Sequence, residues 1–275
     1  MKKSLVLLLG LMSLPLLSSA QVTGNTAETE QKKELQMSAT AKNILTEIRI
    51  PNKSFSLQDY PRLIPTLKSI MESQQLTPDT KALFAAIINN DEQEVERLIP
   101  LADVNARDEY NNPPMFVAIA VGNPKIITAL LKDKRLDLSA VKPPANDTAL
   151  HVAINRRAVS AVKLLLADPR VDINYANRLG FTPLHRAVYA RDFEILGLVL
   201  ADPRLKVNDK DNKGLTALHI AVQRNSSNMV KMLLSDPRVN MDLTDKKGRT
   251  AYDLAVEGEN SEILKLFEAK KAGNL

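Results

Sequence analysis

The chain contains three histidines, His151, His185 and His219, and each closes a related tetrapeptide: TALH (148–151), TPLH (182–185) and TALH (216–219). Imidazole is the commonest metal ligand and an ordinary acid–base group near neutral pH. Three of them raise two chemistries, a three-histidine metal site or a catalytic centre gathered from distant segments. Little else in the sequence supports either. Cysteine is absent, so there is no thiol nucleophile. No G-x-S-x-G, Gly-rich phosphate loop or H-E-x-x-H occurs. The segment DKDNKG (209–214) copies the opening of a calcium loop, but Lys213 takes a ligand position and Ile220 stands where the closing glutamate belongs.

The spacing of these motifs points elsewhere. Thr148, Thr182, Thr216 and Thr250 follow one another at intervals of 34 residues, and the histidines inherit that interval. Ala153, Ala187, Ala221 and Ala255 recur with them. Apolar stripes follow, AVKLLL (161–166), LGLVL (196–200) and VKMLL (230–234), and close on Asp168-Pro169-Arg170, Asp202-Pro203-Arg204 and Asp236-Pro237-Arg238. Fainter copies begin at Lys81 and Pro113. Such a period marks stacked structural repeats. Equivalent residues of stacked units lie roughly 10 Å apart, the spacing of packed helices, whereas ligands to one zinc must come within about 2 Å of it. Histidines in register along a stack cannot converge. No metal ligand, no cofactor and no catalytic residue is expected.

Local chemistry defines the unit. A threonine before a helix accepts from free amides of the first turn. Pro183 fits the first helical position, where a missing N–H costs nothing. Leu184, Ala187 and Val188 make one apolar face. A short break, ARD (190–192), leads to a second helix over about 193–200, and Asp202-Pro203 ends it. NDKDNKGL (208–215) reads as an exposed turn. Each unit is therefore helix, turn, helix, projecting loop.

Thr182-Pro183-Leu184-His185-Arg186-Ala187 matches the T-P-L-H-x-A signature at every fixed position, and the copies at 148–153 and 216–221 lack only the proline. The sequence resembles the ankyrin-repeat family. The resemblance implies an all-α solenoid of about six helix-turn-helix units with β-hairpin-like loops: 81–112, 113–147, 148–181, 182–215, 216–249 and 250–275. It also implies a structural role for Thr148, His151, Thr182, His185, Thr216 and His219, the imidazole bonding the threonine and tying one unit to the next. Two departures stand out. Asp-x-Arg replaces the family's glycine at the end of the second helix, which sets Arg135, Arg170, Arg204 and Arg238 in register. They read either as a basic ladder for an acidic partner or as local Asp–Arg pairs capping helix ends, and arginine's fitness for a helix C-terminus favours the second. The loop at 139–147, with Pro143-Pro144, places a regular hairpin in doubt.

The ends differ from the repeats. Lys2-Lys3, the apolar run Leu5–Leu17 and the small residues Ser18-Ser19-Ala20 have the order of a secretory signal peptide (1–20) cut after Ala20. The run is shorter than the ~20 residues a membrane span needs. Residues 21–55 read as a flexible polar lead-in, and 56–80 as a helix capping the repeat domain (81–275), since terminal units of a solenoid must be covered. The net charge of +5, of which Lys2 and Lys3 contribute two, is weak for a nucleic-acid binder.

Solenoids present extended concave surfaces. The family places its binding surface on loop tips and outward positions of the first helix. Here these include Arg156, Arg186, Tyr189, Gln223 and Arg224 on helices and Arg178, Leu179, Phe181 and Leu215 at tips, the last three apolar where solvent is expected. Aromatic residues and arginine are over-represented among interface anchors. The expected function is a non-catalytic protein–protein interaction module, exported by a bacterium to the periplasm or medium. The expected partner is a protein, with no nucleic acid, no membrane anchor after cleavage, and a monomeric chain. An inhibitor or immunity protein, or a secreted host-directed effector, is the alternative.

Overall fold

The computed structural model describes residues 76–108 and 110–275. The signal-like segment, the polar lead-in and residues 56–75 of the expected cap lie outside them. Six helix pairs follow in order: α1 (Pro78–Ile88) with α2 (Glu92–Leu98), α3 (Pro114–Val121) with α4 (Pro124–Lys132), α5 (Ala149–Asn155) with α6 (Val159–Ala167), α7 (Pro183–Ala190) with α8 (Phe193–Leu200), α9 (Ala217–Gln223) with α10 (Ser227–Leu234), and α11 (Ala251–Glu257) with α12 (Ser261–Lys271). The first helices pack side by side along the stack, α1 on α3, α3 on α5, α5 on α7, α7 on α9 and α9 on α11. One continuous core runs through all six pairs, from Leu83 and Phe84 to Ile263 and Phe267.

The first pair starts earlier than Lys81. Thr77 caps α1 and Pro78 occupies its first turn, so residues 78–80 belong to the first repeat rather than to a separate cap. Thr77-Pro78 is the same signal as Thr182-Pro183, and fixing the boundary on the apolar run passed over it.

Within each unit the two helices are joined through one residue in the left-handed region: Asn90, Gly122, Arg157, Arg191, Asn225 and Glu259. Only the second unit uses glycine there. The others accept the cost of a Cβ in that conformation, about 1–2 kcal/mol per residue, because core packing on both sides fixes the turn. The sequence carries no warning of this at Arg157, Arg191 or Glu259.

Between units the loops fold back in a repeated turn. Asp211 accepts from the amides of Lys213 and Leu215 (2.8 Å each), and its own amide bonds the Leu215 carbonyl (2.8 Å). Asp245 repeats the pattern with Lys247 and Arg249, and the Arg249 amide first among its partners holds its carboxyl down to about 2. Asp211, in the segment that copies the start of a calcium loop, is thus engaged by its own turn. The doubted loop at 139–147 contains the strand pair among the described residues, Val141–Lys142 against Asp147–Thr148. Successive tips are laced by backbone bonds, Arg178 N–H to Ala145 (2.8 Å), Asn212 N–H to Leu179 (3.2 Å) and Lys246 N–H to Lys213 (3.2 Å). The approach is close enough that a Cβ on Gly214, at φ +78°, would lie 2.8 Å from the Lys246 nitrogen.

Candidate functional site

The histidines are at most 1% exposed. Each Nε2 meets the carbonyl that closes its own repeat, directly before the next repeat's capping threonine: His151 with Phe181 (2.8 Å), His185 with Leu215 (3.0 Å) and His219 with Arg249 (3.1 Å). A carbonyl only accepts, so Nε2 carries the proton and Nδ1 is left as an acceptor. It receives the Thr182 hydroxyl (2.8 Å) and amide (3.2 Å) in the fourth repeat, and the equivalent groups of Thr148 and Thr216 in the third and fifth. Burial pushes all three imidazoles below their ordinary pKa, against the pull of the carbonyl bonds. Both nitrogens of each ring are committed to the scaffold, and no lone pair faces an open site. Asp253 stands in the histidine's place in the last unit. It accepts from the Thr250 amide (2.8 Å) and hydroxyl (2.7 Å) and closes its own helix start.

The Asp-x-Arg arginines also serve the stack. Each forms a local pair: Arg135–Asp133 (2.6 Å), Arg170–Asp168 (2.7 Å), Arg204–Asp202 (2.6 Å) and Arg238–Asp236 (2.7 Å). The paired guanidinium holds each carboxyl below the usual range. The helix that each arginine caps, however, is the second helix of the preceding repeat. Arg135 donates to the carbonyl of Ile99 (2.6 Å), Arg170 to Leu131 (2.6 Å), Arg204 to Leu166 (2.8 Å) and Arg238 to Leu200 (2.6 Å). The ladder is a row of inter-repeat staples.

A different group of side chains gathers on the inner face of repeats three to five. The loop tip brings Phe181 against α7, where its ring stacks on His185 at 5.9 Å and meets Tyr189 at 6.0 Å. Arg186 lies over the Phe181 ring at 5.4 Å, and Arg224, from the end of α9, lies over the Tyr189 ring at 3.9 Å. Asp147 anchors one side. It accepts from Asn177 (2.7 Å) and makes a long ion pair with Arg186 (3.4 Å). The Nε atoms of Arg186 and Arg224 are buried and have no hydrogen-bond partner. Among the described residues the Arg224 guanidinium makes no ion pair at all. It lies over the ring of Tyr189.

The other expected binding residues divide. Leu179 is 54% and Tyr189 44% exposed, and Arg178, Arg156 and Gln223 are exposed as well. Phe181 is half-buried, held by the rings described above. Leu215 is not a tip residue. It is buried (7% exposed), because its carbonyl is the acceptor for His185 and its side chain belongs to the core. Asp147 was missed although it directly precedes Thr148, where the equivalent positions carry Phe181 and Leu215. Among the described residues no three His, Cys, Asp or Glu side chains are grouped to hold a metal ion, and no helix is long and apolar enough to cross a membrane.

Comparison with known proteins agrees with this geometry. Residues 134–211 match the family model for ankyrin repeats (3 copies) and residues 198–255 the one for ankyrin repeats (many copies). No curated protein sequence matches. The chain is similar to the ankyrin repeat domain of Bcl-3, a member of the IkappaB family, at 26% identity over 68% of this chain and 81% of that one, with a TM-score of 0.63. An ankyrin repeat domain from Acinetobacter baumannii is 26% identical over 69% and 97%, with a TM-score of 0.61. A chain from the complex of the predatory endopeptidase Bd0816 of Bdellovibrio bacteriovorus with the immunity protein Bd3460 is 26% identical over 69% and 98%, with a TM-score of 0.57. The repeated motifs, the stacked helix pairs and the two family matches over residues 134–255 show that this chain has the ankyrin-repeat fold.

Proposed function

We propose that this chain is an exported, non-catalytic module that binds a protein through the hairpin tips and inner face of repeats three to five. The observation that carries the reading is the cluster of Phe181, Tyr189, Arg186 and Arg224. Aromatic rings and guanidinium groups, the residue types enriched among interface anchors, are held there by the scaffold. The signal-like start of the sequence supports a periplasmic or extracellular place, in a bacterium.

The similarity to a chain from an endopeptidase–immunity protein complex favours a second, narrower reading. In it the partner is an enzyme, and binding holds that enzyme inactive.

Capture tests both. The full chain, tagged at its C-terminus, is expressed in its host and gently crosslinked. The proteins recovered from periplasm and medium are then compared with those from a Phe181→Ala/Tyr189→Ala variant of unchanged melting temperature. A stoichiometric protein recovered by the wild type and lost by the variant is the expected result. Recovery that ignores the double substitution would remove this face from consideration. Loss of the captured protein's activity on adding one equivalent of this chain would select the inhibitor reading.

A further inference from the structure

Resting on the binding reading above, the geometry points to the chemistry of the partner: an acidic protein segment whose carboxylates dock on Arg224 and on a rank of basic hairpin tips, beside the exposed Leu179 and Tyr189.

The argument starts with how charge is distributed along the tips. The first two hairpins, around Tyr110–Asn111 and Ala145–Asn146, carry no lysine or arginine at their tips. The next three carry Arg178, Lys213, and Lys246 with Lys247, all exposed. Among the described residues the side chains of these four make no hydrogen bond or ion pair. The carboxylates nearest to them in sequence do not offset them. Asp211 and Asp245 are each 7% exposed and are occupied by backbone amides of their own turns. The cations are also set in order, because the backbone bonds from tip to tip fix one hairpin against the next.

Arg224 sharpens the reading. Among the described residues most guanidinium groups are used by the fold. The Asp-x-Arg series is taken by aspartates and helix-end carbonyls, Arg249 by Asp245 and Glu257 (2.8 Å each), and Arg157 by the Ala190 carbonyl (2.7 Å). Among the described residues the Arg224 guanidinium makes no hydrogen bond or ion pair and lies over the Tyr189 ring. Stacking restricts a guanidinium without consuming its donors, which leaves the planar fork arranged for a carboxylate. Leu179, 54% exposed between Arg178 and the aromatic cluster, gives the same face an apolar contact. A row of cations beside exposed apolar and aromatic surface suits an acidic peptide carrying an aromatic or aliphatic side chain. Single-stranded nucleic acid would use the cations and the Tyr189 ring but has no use for the leucine.

The test uses the full chain and a random dodecapeptide library displayed on phage. Selected peptides are expected to be enriched several-fold in Asp and Glu over Lys and Arg and to elute at 0.5 M salt. Their synthetic forms should lose about tenfold in affinity on Arg224→Gln, the scale of one lost charge-assisted bond. A Lys213→Gln/Lys246→Gln/Lys247→Gln variant, which removes no bond of the fold, should weaken them and flatten the salt dependence. Selection of no peptide, of peptides without acidic excess, or of acidic peptides insensitive to both variants overturns the inference. So does tighter binding of a twelve-nucleotide single strand, or self-association of the chain that Arg224→Gln abolishes. Peptides that depend on Phe181 and Tyr189 but lack acidic bias would leave the binding face standing and discard the charge. Acidic peptides indifferent to those two rings would discard the face itself.

Discussion

Replacing Arg204 by methionine isolates the inter-repeat staple, because methionine keeps most of the aliphatic stem and removes the guanidinium. Three contributions disappear. The first is the charge-assisted bond to the Leu166 carbonyl at 2.8 Å, with weaker bonds to Val171 (3.3 Å) and Asp168 (3.5 Å). A bond to a charged group contributes about 1.5–3 kcal/mol. The second is the interaction of a positive charge with the C-terminal end of α6, about 0.3–1 kcal/mol. The third is the pair with Asp202, which counts for about 0–1 kcal/mol at a partly exposed site. The Arg204 side chain is 35% exposed, so the lower part of each range applies and the sum is about 2 kcal/mol. For a folded region of this size 1 kcal/mol moves Tm by roughly 2–4 °C. Arg204→Met should therefore lower Tm by about 4–8 °C in thermal unfolding followed by circular dichroism. Asp202→Asn breaks the ion pair and leaves the guanidinium on Leu166, so it should cost about 1 kcal/mol or less. The order of the two variants is decisive. The bond crosses from repeat four to repeat three, and in a stack stabilised by neighbour interfaces its loss should also broaden the transition. A Tm for Arg204→Met within 1 °C of the wild type, or a larger loss for Asp202→Asn, would refute the staple.

Three further outcomes follow from the same structure. Burial depresses the pKa of His151, His185 and His219, so the folded state binds protons less readily than the unfolded chain. Stability is then whole above about pH 6.5 and falls as pH drops below it, at up to about 1.4 kcal/mol per pH unit for each histidine, until the folded pKa is passed; denaturant melts at pH 7.5, 6.5 and 5.5 with no decline would contradict this. Gly180, at φ +79°, faces the backbone of Asn212 so closely that a Cβ would collide with it, and Gly180→Ala should cost at least about 2 kcal/mol in the same melts. Glu259 lies left-handed at φ 51° and is exposed, so Glu259→Gly should stabilise by about 0.5–1 kcal/mol, and a loss would mean that the turn draws support from the glutamate side chain.

The fold was legible because its determinants are local and repeated. Thr182, Pro183, Leu184, His185 and Ala187 act within one turn of helix, and the interval of 34 residues multiplies the signal. Geometry excluded a shared metal, since residues in register cannot converge, and the resemblance to ankyrin repeats implied the scaffold role of the histidines. The parts that were not legible depend on distances between units. Leu215 stands in a loop, yet His185, thirty residues earlier, bonds its carbonyl and its side chain joins the core. Asp147 looks like any loop aspartate until Asn177 and Arg186 are seen to converge on it from positions 30 and 39 residues away.

Arginine shows why the candidate site needed the structure. In the sequence the Asp-x-Arg series is the conspicuous basic feature, regular and placed along one edge, and Arg224 is one residue in a polar stretch. In the fold their availability is reversed. A guanidinium that already bonds an aspartate and two or three carbonyls, as Arg204 and Arg170 do, offers a partner little beyond screened charge. Engaging it would require breaking bonds that hold two repeats together. Arg224 makes no such bonds among the described residues, so a carboxylate arriving there adds an interaction without removing one. The same reasoning separates the exposed tip lysines from Lys210, whose ammonium is held by the Thr244 carbonyl at 2.7 Å. Counting positive residues would place the binding face along the staples. Counting donors left over after folding points to the hairpin tips and inner helices of repeats three to five, the face proposed here.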